Sequence, residues 1–262
     1  NGNRSKPEIV DEILESFSGA SRNAVSNDVN VFLDSITDEG FAGPCNERPS
    51  ASTAPFVFPD ASDCPEILDI SLTGKCNLHC DYCYYSHEME TLCDLPGDEW
   101  LTFFDELMSL SVRDLSLSGG EIFIRPDLWE LIDAISECRM RYSISTNGTL
   151  ITEKTLKEFE KGKRRRRLTS IQVSIDGSCS EVHDRSRGSG SFEKAIRGLR
   201  LIKDAGFPVT VRVTVNRNNV DDLDNIAKLL LDEIGIWSIG TNDAMPIGAG
   251  WDNLALPFVQ IT

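Results

Sequence analysis

From Glu66 onward the sequence alternates short β-type runs with longer amphipathic helical runs, and this alternation restricts the chain to parallel βαβ architecture. The β-type runs are 66–73, 113–118, 141–147, 169–176, 208–216 and about 236–241. Helical periodicity fills 97–111, 126–139, 152–161, 191–205 and 221–234. Six strand–helix units over about 180 residues are too few for a closed eight-unit barrel of ~250. The expected fold is α/β: an open, partial (β/α)6 TIM-like barrel over 66–250. A flat doubly wound sheet is the structural alternative.

The side-chain pattern within the strands favours the barrel. A parallel strand covered on both faces reads as a nearly continuous apolar run. Here Leu68, Ile70 and Leu72 alternate with Ser71 and Thr73, and Leu115 and Leu117 with Ser116 and Ser118. Tyr142 and Ile144 alternate with Ser143, Ser145 and Asn147. Ile171, Val173 and Ile175 alternate with Gln172, Ser174 and Asp176, and Val211, Val213 and Val215 with Arg212, Thr214 and Asn216. Five strands of one parity predict helices on the apolar face and a polar lumen for a ligand. A polar sheet face open to solvent is the plainer alternative.

Before the barrel, Ile9, Ile13, Leu14 and Phe17 recur at helical spacing, and Gly19 ends the run. Ser21 caps a second expected helix with Val25, Val29, Phe32, Leu33 and Ile36 on one face, stopped at Gly40. Residues 42–65 carry Pro44, Pro49, Pro55, Pro59 and Pro65 among small residues and read as a linker. With 26 Lys+Arg against 42 Asp+Glu, the net charge of −16 disfavours a nucleic-acid backbone or an anionic membrane as partner. No apolar run is long enough to span a bilayer and no signal peptide opens the chain, so a reducing, cytoplasmic setting is expected for the eight cysteines. The basic run Lys161-Gly-Lys163-Arg164-Arg165-Arg166-Arg167 reads as a solvated loop on the N-terminal rim of the barrel, with an acidic electron-donor protein as a less favoured reading.

Cys76, Cys80 and Cys83 form a C-x3-C-x2-C run directly after the first strand, at the barrel end where such enzymes place their chemistry. Three thiolates on one short loop suit an iron–sulfur cluster and leave one iron open for a ligand. A zinc site is the alternative, with His79 or His87 as the fourth ligand. Cys45, Cys64, Cys93, Cys138 and Cys179 have no cluster spacing.

The run C-x3-C-x-Tyr-C resembles the signature of the radical S-adenosylmethionine (radical SAM) superfamily. The resemblance implies a [4Fe–4S] cluster on Cys76, Cys80 and Cys83, with S-adenosyl-L-methionine on the open iron and Tyr82 near its adenine. Reductive cleavage to a 5′-deoxyadenosyl radical and hydrogen abstraction from a substrate follow from it. Gly119-Gly120-Glu121 resembles the family's GGE motif, which implies contact with the cofactor's ammonium group. Ser145 and Asn147 resemble its ribose-proximal segment. Ser174-Ile-Asp176-Gly177 and His183-Asp184…Arg187…Ser191-Phe192 resemble motifs of the peptide-modifying branch, where Ser174 and Arg187 would meet the methionyl carboxylate. Asn216 is a further lumen-facing candidate, and Met245-Pro246-Ile247-Gly248 resembles the segment that passes near adenine.

Residues 8–40, within an N-terminal segment 1–41, are similar to the last two helices of a winged-helix peptide-recognition element of ribosomal-peptide maturases; a hairpin packed on the barrel is the alternative. The strands of that element and the cysteine-rich SPASM or twitch extension, which would hold auxiliary [4Fe–4S] clusters, are both expected outside this chain, with 251–262 as the start of the extension. The implied activity is a maturase that forms a thioether or carbon–carbon crosslink in a ribosomally made precursor peptide. It would be supplied with electrons by a flavodoxin or ferredoxin. A sulfatase-type or tetrapyrrole maturase is the nearest rival, and a noncatalytic peptide- or zinc-binding module the rival of another class.

Overall fold

A computed structural model describes residues 4–17, 19–38, 65–85, 93–110, 112–248 and 254–256. The chain divides into two compact units, Asn1–Ser62 and Asp63–Thr262. Apart from Pro65 the expected linker lies outside the described residues, as do Cys45, Cys64, His87 and most of 251–262. Among the described residues no helix is long and apolar enough to cross a membrane.

The first unit is a helical hairpin, α1 (Lys6–Ser16) and α2 (Arg22–Asp38). Ser5 opens α1 through a capping box with Glu8, and Pro7 fits the first turn because its missing N–H has no partner to lose there. Val10, Val25 and Val29 form a small core with Ile9, Ile13, Leu14 and Leu33 around it. The expected apolar faces are too wide: Phe17 and Phe32 are 66% and 61% exposed. Val10 fills the contact that the sequence periodicity assigned to larger side chains.

The second unit is a six-stranded, all-parallel sheet in the order β1-β2-β3-β4-β5-β6. The strands are β1 (Ile67–Thr73), β2 (Asp114–Gly119), β3 (Arg141–Thr146), β4 (Leu168–Ser174), β5 (Val209–Val215) and β6 (Ile239–Asp243). Strands that follow one another without reversal, joined by right-handed crossovers, put every helix on the same face. A doubly wound sheet reverses its order at a switch point, so the flat alternative is excluded. The register aligns Ile70, Leu117, Ile144, Ile171 and Val209 as one apolar rung across five strands.

That rung packs against Phe104 and Leu107 of α3 (Gly97–Ser109), Leu131, Ile132 and Ile135 of α4 (Leu128–Glu137), and Ala195, Leu199 and Ile202 of α8 (Ser191–Asp204). The opposite parity stays on the other face, where Ser116 and Ser143 pair and Ser145 pairs with Gln172.

Three local expectations change. The strand expected at about 236–241 is β6, which starts three residues later: α9 (Leu223–Lys228) and the π-helical turn Leu229–Ile234 end where the expected helix does, and residues 235–238 form a connecting loop before the strand. A helix that the sequence periodicity missed, α7 (Ser180–Arg187), precedes α8; its residues are almost all polar, so no apolar stripe announces it. The basic run stays largely exposed but is not a loop. It follows α5 (Glu153–Phe159) as a one-turn helix, α6 (Arg164–Arg167), whose first arginine is buried. Its charge is matched locally: Lys161 and Arg164 pair with Glu158, Lys163 with Glu137 at 2.9 Å, and Arg165 with Glu160. This local pairing weakens the case for an acidic docking partner there.

Candidate functional site

The strand ends and the loops after them surround a cavity of about 480 Å³ at the C-terminal mouth of the sheet. Cys76, Cys80, Tyr82 and Cys83 line it from the loop after β1. Gly119 and Gly120 contribute from β2, Ser145 and Asn147 from β3, Ser174 from β4 and Thr214 from β5. Arg187 reaches it from α7, and Asn242 to Met245 with Ile247 from β6 and beyond. Residues scattered over more than 170 positions therefore meet because every parallel strand delivers its C-terminus to the same edge.

The cysteine loop is held from several sides. Asp94 accepts hydrogen bonds from Thr73 Oγ1 (2.7 Å) and Gly74 N (2.9 Å), just before Cys76. Buried Arg125 donates to Leu72 O (2.6 Å) and Leu95 O (2.8 Å), tying the end of β1 to the segment that carries Asp94. Gly120 N donates to Thr73 O and Glu121 N to Lys75 O, both at 2.8 Å. Those two bonds explain the paired glycines: a Cβ on Gly119 would strike Thr73 O, and one on Gly120 would strike Lys75 O. Asn147 Nδ2 donates to Asn77 Oδ1 at 2.9 Å, while its Oδ1 accepts from Thr149. Asp94 and Arg125 carried no sequence signal, since nothing in spacing marks a carboxylate that braces a loop from 20 residues away.

The thiols have a consistent electrostatic setting. Burial raises the Cys80 pKa to about 11, against the pull of Arg187, and burial also raises that of Cys76. Thiolates at these positions need a cationic group to form. Leu78 N (3.4 Å) and Asn147 Nδ2 (3.9 Å) point at Cys76 Sγ, the kind of N–H donor that stabilises thiolate and sulfide. Three sulfurs on one wall with such donors fit an iron–sulfur group. His79, the described candidate for a fourth zinc ligand, is exposed and is not part of the cavity wall. Among the described residues no three His, Cys, Asp or Glu side chains gather as a site for a single ion.

Three candidates from the sequence do not line the cavity. Glu121 is fully buried behind it, accepting from Thr146 Oγ1 (2.9 Å), Asn147 N (2.8 Å) and Phe123 N (3.2 Å). Burial raises its pKa, opposed by these hydrogen bonds. Asp176 is also buried, bonded to Tyr82 Oη, Arg187 Nε (2.5 Å) and Thr214 N (2.7 Å). Asn216 sits past the end of β5, donating to Thr214 O and accepting from Asn218 N. The expected lumen position on this strand is taken by Thr214, and Asn216 shapes the turn that follows.

The second half of the motif series is structural in its contacts. Asp184 accepts from Gly190 N (2.6 Å), Ser191 Oγ (3.0 Å) and Phe192 N (2.8 Å), which caps α8 and sets the α7–α8 corner. His183 Nδ1 accepts from Asp176 N at 3.1 Å, and burial lowers its pKa to about 4, so the imidazole is neutral with its proton on Nε2. Gly248 lies against Cys83 and Tyr84, where a Cβ would clash with the backbone of both. Met245 and Ile247 are thereby brought to the cavity wall beside the cysteine loop.

The family profile described as the Radical SAM superfamily matches residues 70–230. The mycofactocin maturase MftC of Mycolicibacterium smegmatis is 35% identical over 173 residues, 66% of this chain and 43% of that protein. The Fe-coproporphyrin III synthase of Methanosarcina barkeri is 38% identical over 188 residues, 71% of this chain and 46% of that protein. The chain thus spans less than half the length of either relative. The solved structure of Streptococcus suis SuiB with S-adenosylmethionine superposes with a TM-score of 0.60 at 17% identity, covering 92% of this chain and 51% of that one. SuiB has also been solved with its precursor peptide SuiA. The match over most of the sheet, together with three cysteines on the wall of one cavity, assigns the chain: it belongs to the radical SAM superfamily.

Proposed function

We propose that this chain is the catalytic core of a radical SAM maturase that modifies a ribosomally made precursor peptide. One observation carries the reading: Cys76, Cys80 and Cys83 share a cavity with Gly119, Gly120, Ser145, Asn147, Ser174 and Arg187. The family works with a [4Fe–4S] cluster and S-adenosylmethionine, and the donor set described above fits both. When bound, the two together supply a 5′-deoxyadenosyl radical that removes a hydrogen atom from the substrate.

The chain's own residues bind and orient. Cys76, Cys80 and Cys83 would hold the cluster on one wall of the cavity. Arg187 offers its guanidinium to the methionyl carboxylate, beside Ser174. Gly119 and Gly120 present backbone to the amino acid end, and Glu121 supports that segment from behind the wall. Ser145 and Asn147 face the ribose, and Tyr82, Met245 and Ile247 shield the adenine side from water. Asp176 and Asn216 contribute through the residues they hold.

The domain division follows the same reading: 1–41 from a peptide-recognition element, 42–65 a linker, 66–250 the barrel and 251–262 the start of a C-terminal extension. The helical pair Lys6–Ser16 and Arg22–Asp38 supports a peptide substrate, as does similarity to a mycofactocin maturase. Similarity to an Fe-coproporphyrin III synthase, at 38% identity, favours a tetrapyrrole as the second reading. A cytoplasmic location and a flavodoxin or ferredoxin donor complete the proposal.

The test is anaerobic iron and sulfide reconstitution, reduction with S-adenosylmethionine, and product analysis with precursor peptides encoded nearby and with an iron tetrapyrrole precursor of coproporphyrin. Cluster absorption, 5′-deoxyadenosine and a peptide lighter by two hydrogens are expected. Cofactor cleavage that modifies only the tetrapyrrole would establish the second reading. A protein with neither cluster nor cleavage would be a noncatalytic module.

A further inference from the structure

Asp176 is held so completely by protein that it has nothing left for a ligand. It is 1% exposed. Its Oδ2 accepts from Tyr82 Oη and Arg187 Nε, and its Oδ1 from Thr214 N. Its backbone N–H goes to His183 Nδ1 and its carbonyl accepts from Asn219 Nδ2 at 3.1 Å. The side-chain partners come from three elements: the cysteine loop, α7 and β5. The carboxylate itself stands just past the end of β4.

Two of those partners reach the cavity that Asp176 does not. Tyr82 lies between Cys80 and Cys83, and the Arg187 guanidinium carbon sits 5.5 Å from its ring centre. Arg187 uses only Nε toward Asp176; among the described residues its terminal nitrogens donate no hydrogen bond. One carboxylate therefore aims the arginine fork into the cavity and, through the phenol, fixes the loop that carries two of the three cysteines.

We infer that Asp176 is a positioning residue rather than a cofactor contact. It couples Arg187 to Tyr82, so that capture of an α-amino-acid carboxylate at Arg187 and ordering of the Cys80–Cys83 segment depend on each other. The inference rests on the cofactor reading above. It adds a residue that acts without touching the ligand.

Two measurements test it, and the first needs no cluster. Hydrogen–deuterium exchange on the cluster-free full chain should show Asp176→Asn speeding exchange in the cysteine loop and in α7 together. Tyr82→Phe should do the same more weakly. The second is equilibrium binding of S-adenosylmethionine to the reconstituted protein, read by the change in the cluster's electron paramagnetic resonance spectrum. Asp176→Asn should keep the cluster and weaken binding about tenfold or more. Tyr82→Phe should weaken it severalfold, and the double variant should be little worse than Asp176→Asn, because both remove one coupling.

Independent, multiplying losses would mean direct contact and overturn the inference, as would exchange that rises in only one of the two segments. If Asp176→Asn does not fold, Tyr82→Phe carries the test: unchanged exchange in α7 would overturn it. A wild-type protein that takes up no cluster would sink the cofactor reading, while the exchange result would still decide whether Asp176 couples the loop to α7.

Discussion

Two arginines are buried at opposite ends of β4, and they are held differently. Arg164, on the N-terminal rim, spends its whole fork on protein. It donates to both oxygens of Asp133 (2.6 and 2.7 Å), to the Glu158 carbonyl (2.9 Å) and to the Glu158 carboxylate (3.0 Å), and lies over Trp129. Arg187, at the mouth, has one hydrogen-bond partner among the described residues, Asp176, at 2.5 Å. Burial depresses its pKa, but the Asp176 charge outweighs that, so the guanidinium stays charged. A saturated arginine is a rivet. An arginine held by one edge with its other edge facing a cavity is a receptor for a planar anion. The same contrast separates the two ends of the barrel: paired charges below, and directed but unused donors above.

The comparison can be broken by substitution. The largest effect belongs to the cysteine wall: Cys83→Ala should abolish cluster absorption and 5′-deoxyadenosine formation, and a variant that still cleaves would refute the ligand assignment. Next come the arginines. Arg187→Met strands the buried Asp176 charge, so a loss of about 3–5 kcal/mol in urea unfolding is expected, with no measurable S-adenosylmethionine binding. Arg164→Met should cost only about 1–2 kcal/mol, because half-exposed Asp133 can turn to water, and should leave cofactor binding intact. Equal effects of the two on binding would erase the distinction. Gly120→Ala should fold yet retain much less iron after gel filtration, since its Cβ would push on Lys75 O and Cys76 Cβ.

The most graded effect is a pH dependence, since it grows only as the pH falls. His183 is protonated in the unfolded chain below its ordinary value of 6.5 but resists protonation in the fold down to about 4. Acidification therefore favours unfolding across that window, and full stability returns above it. Between pH 7 and pH 5 the histidine should account for about 2 kcal/mol of lost stability. His183→Asn keeps an acceptor for Asp176 N and should flatten that slope; an unchanged slope would show that His183 does not contribute.

The strands and the cysteine wall were legible because parity and short-range spacing encode them. Apolar residues at every second position in five strands sufficed for the sheet, whereas β6 starts late because a four-residue loop separates it from the helix before it, and its short run carries no such alternation. Arg187, Ser174 and the paired glycines were legible only through family resemblance. The roles of Glu121, Asp176 and Asn216 were not. A sequence reveals that a carboxylate ends a strand but not whether its oxygens face a cavity or a neighbouring loop. Arg164 was misread for the same reason: its partners Asp133 and Glu158 are spread over two other elements, and a run of six bases looks like solvent until they are found.

The sheet has consequences at its margins. Among the described residues β1 pairs only with β2 and β6 only with β5, so the wall keeps two free edges. Free edges invite stray strands to join them. This wall meets that hazard with Asp69 and Ser71 exposed along β1 and with Thr241, Asn242 and Asp243 exposed along β6. A ring of eight strands would avoid the hazard but seal the side of the barrel. Six strands leave that side unsealed by strand pairing among the described residues, and the polar margins keep it from recruiting a stray strand.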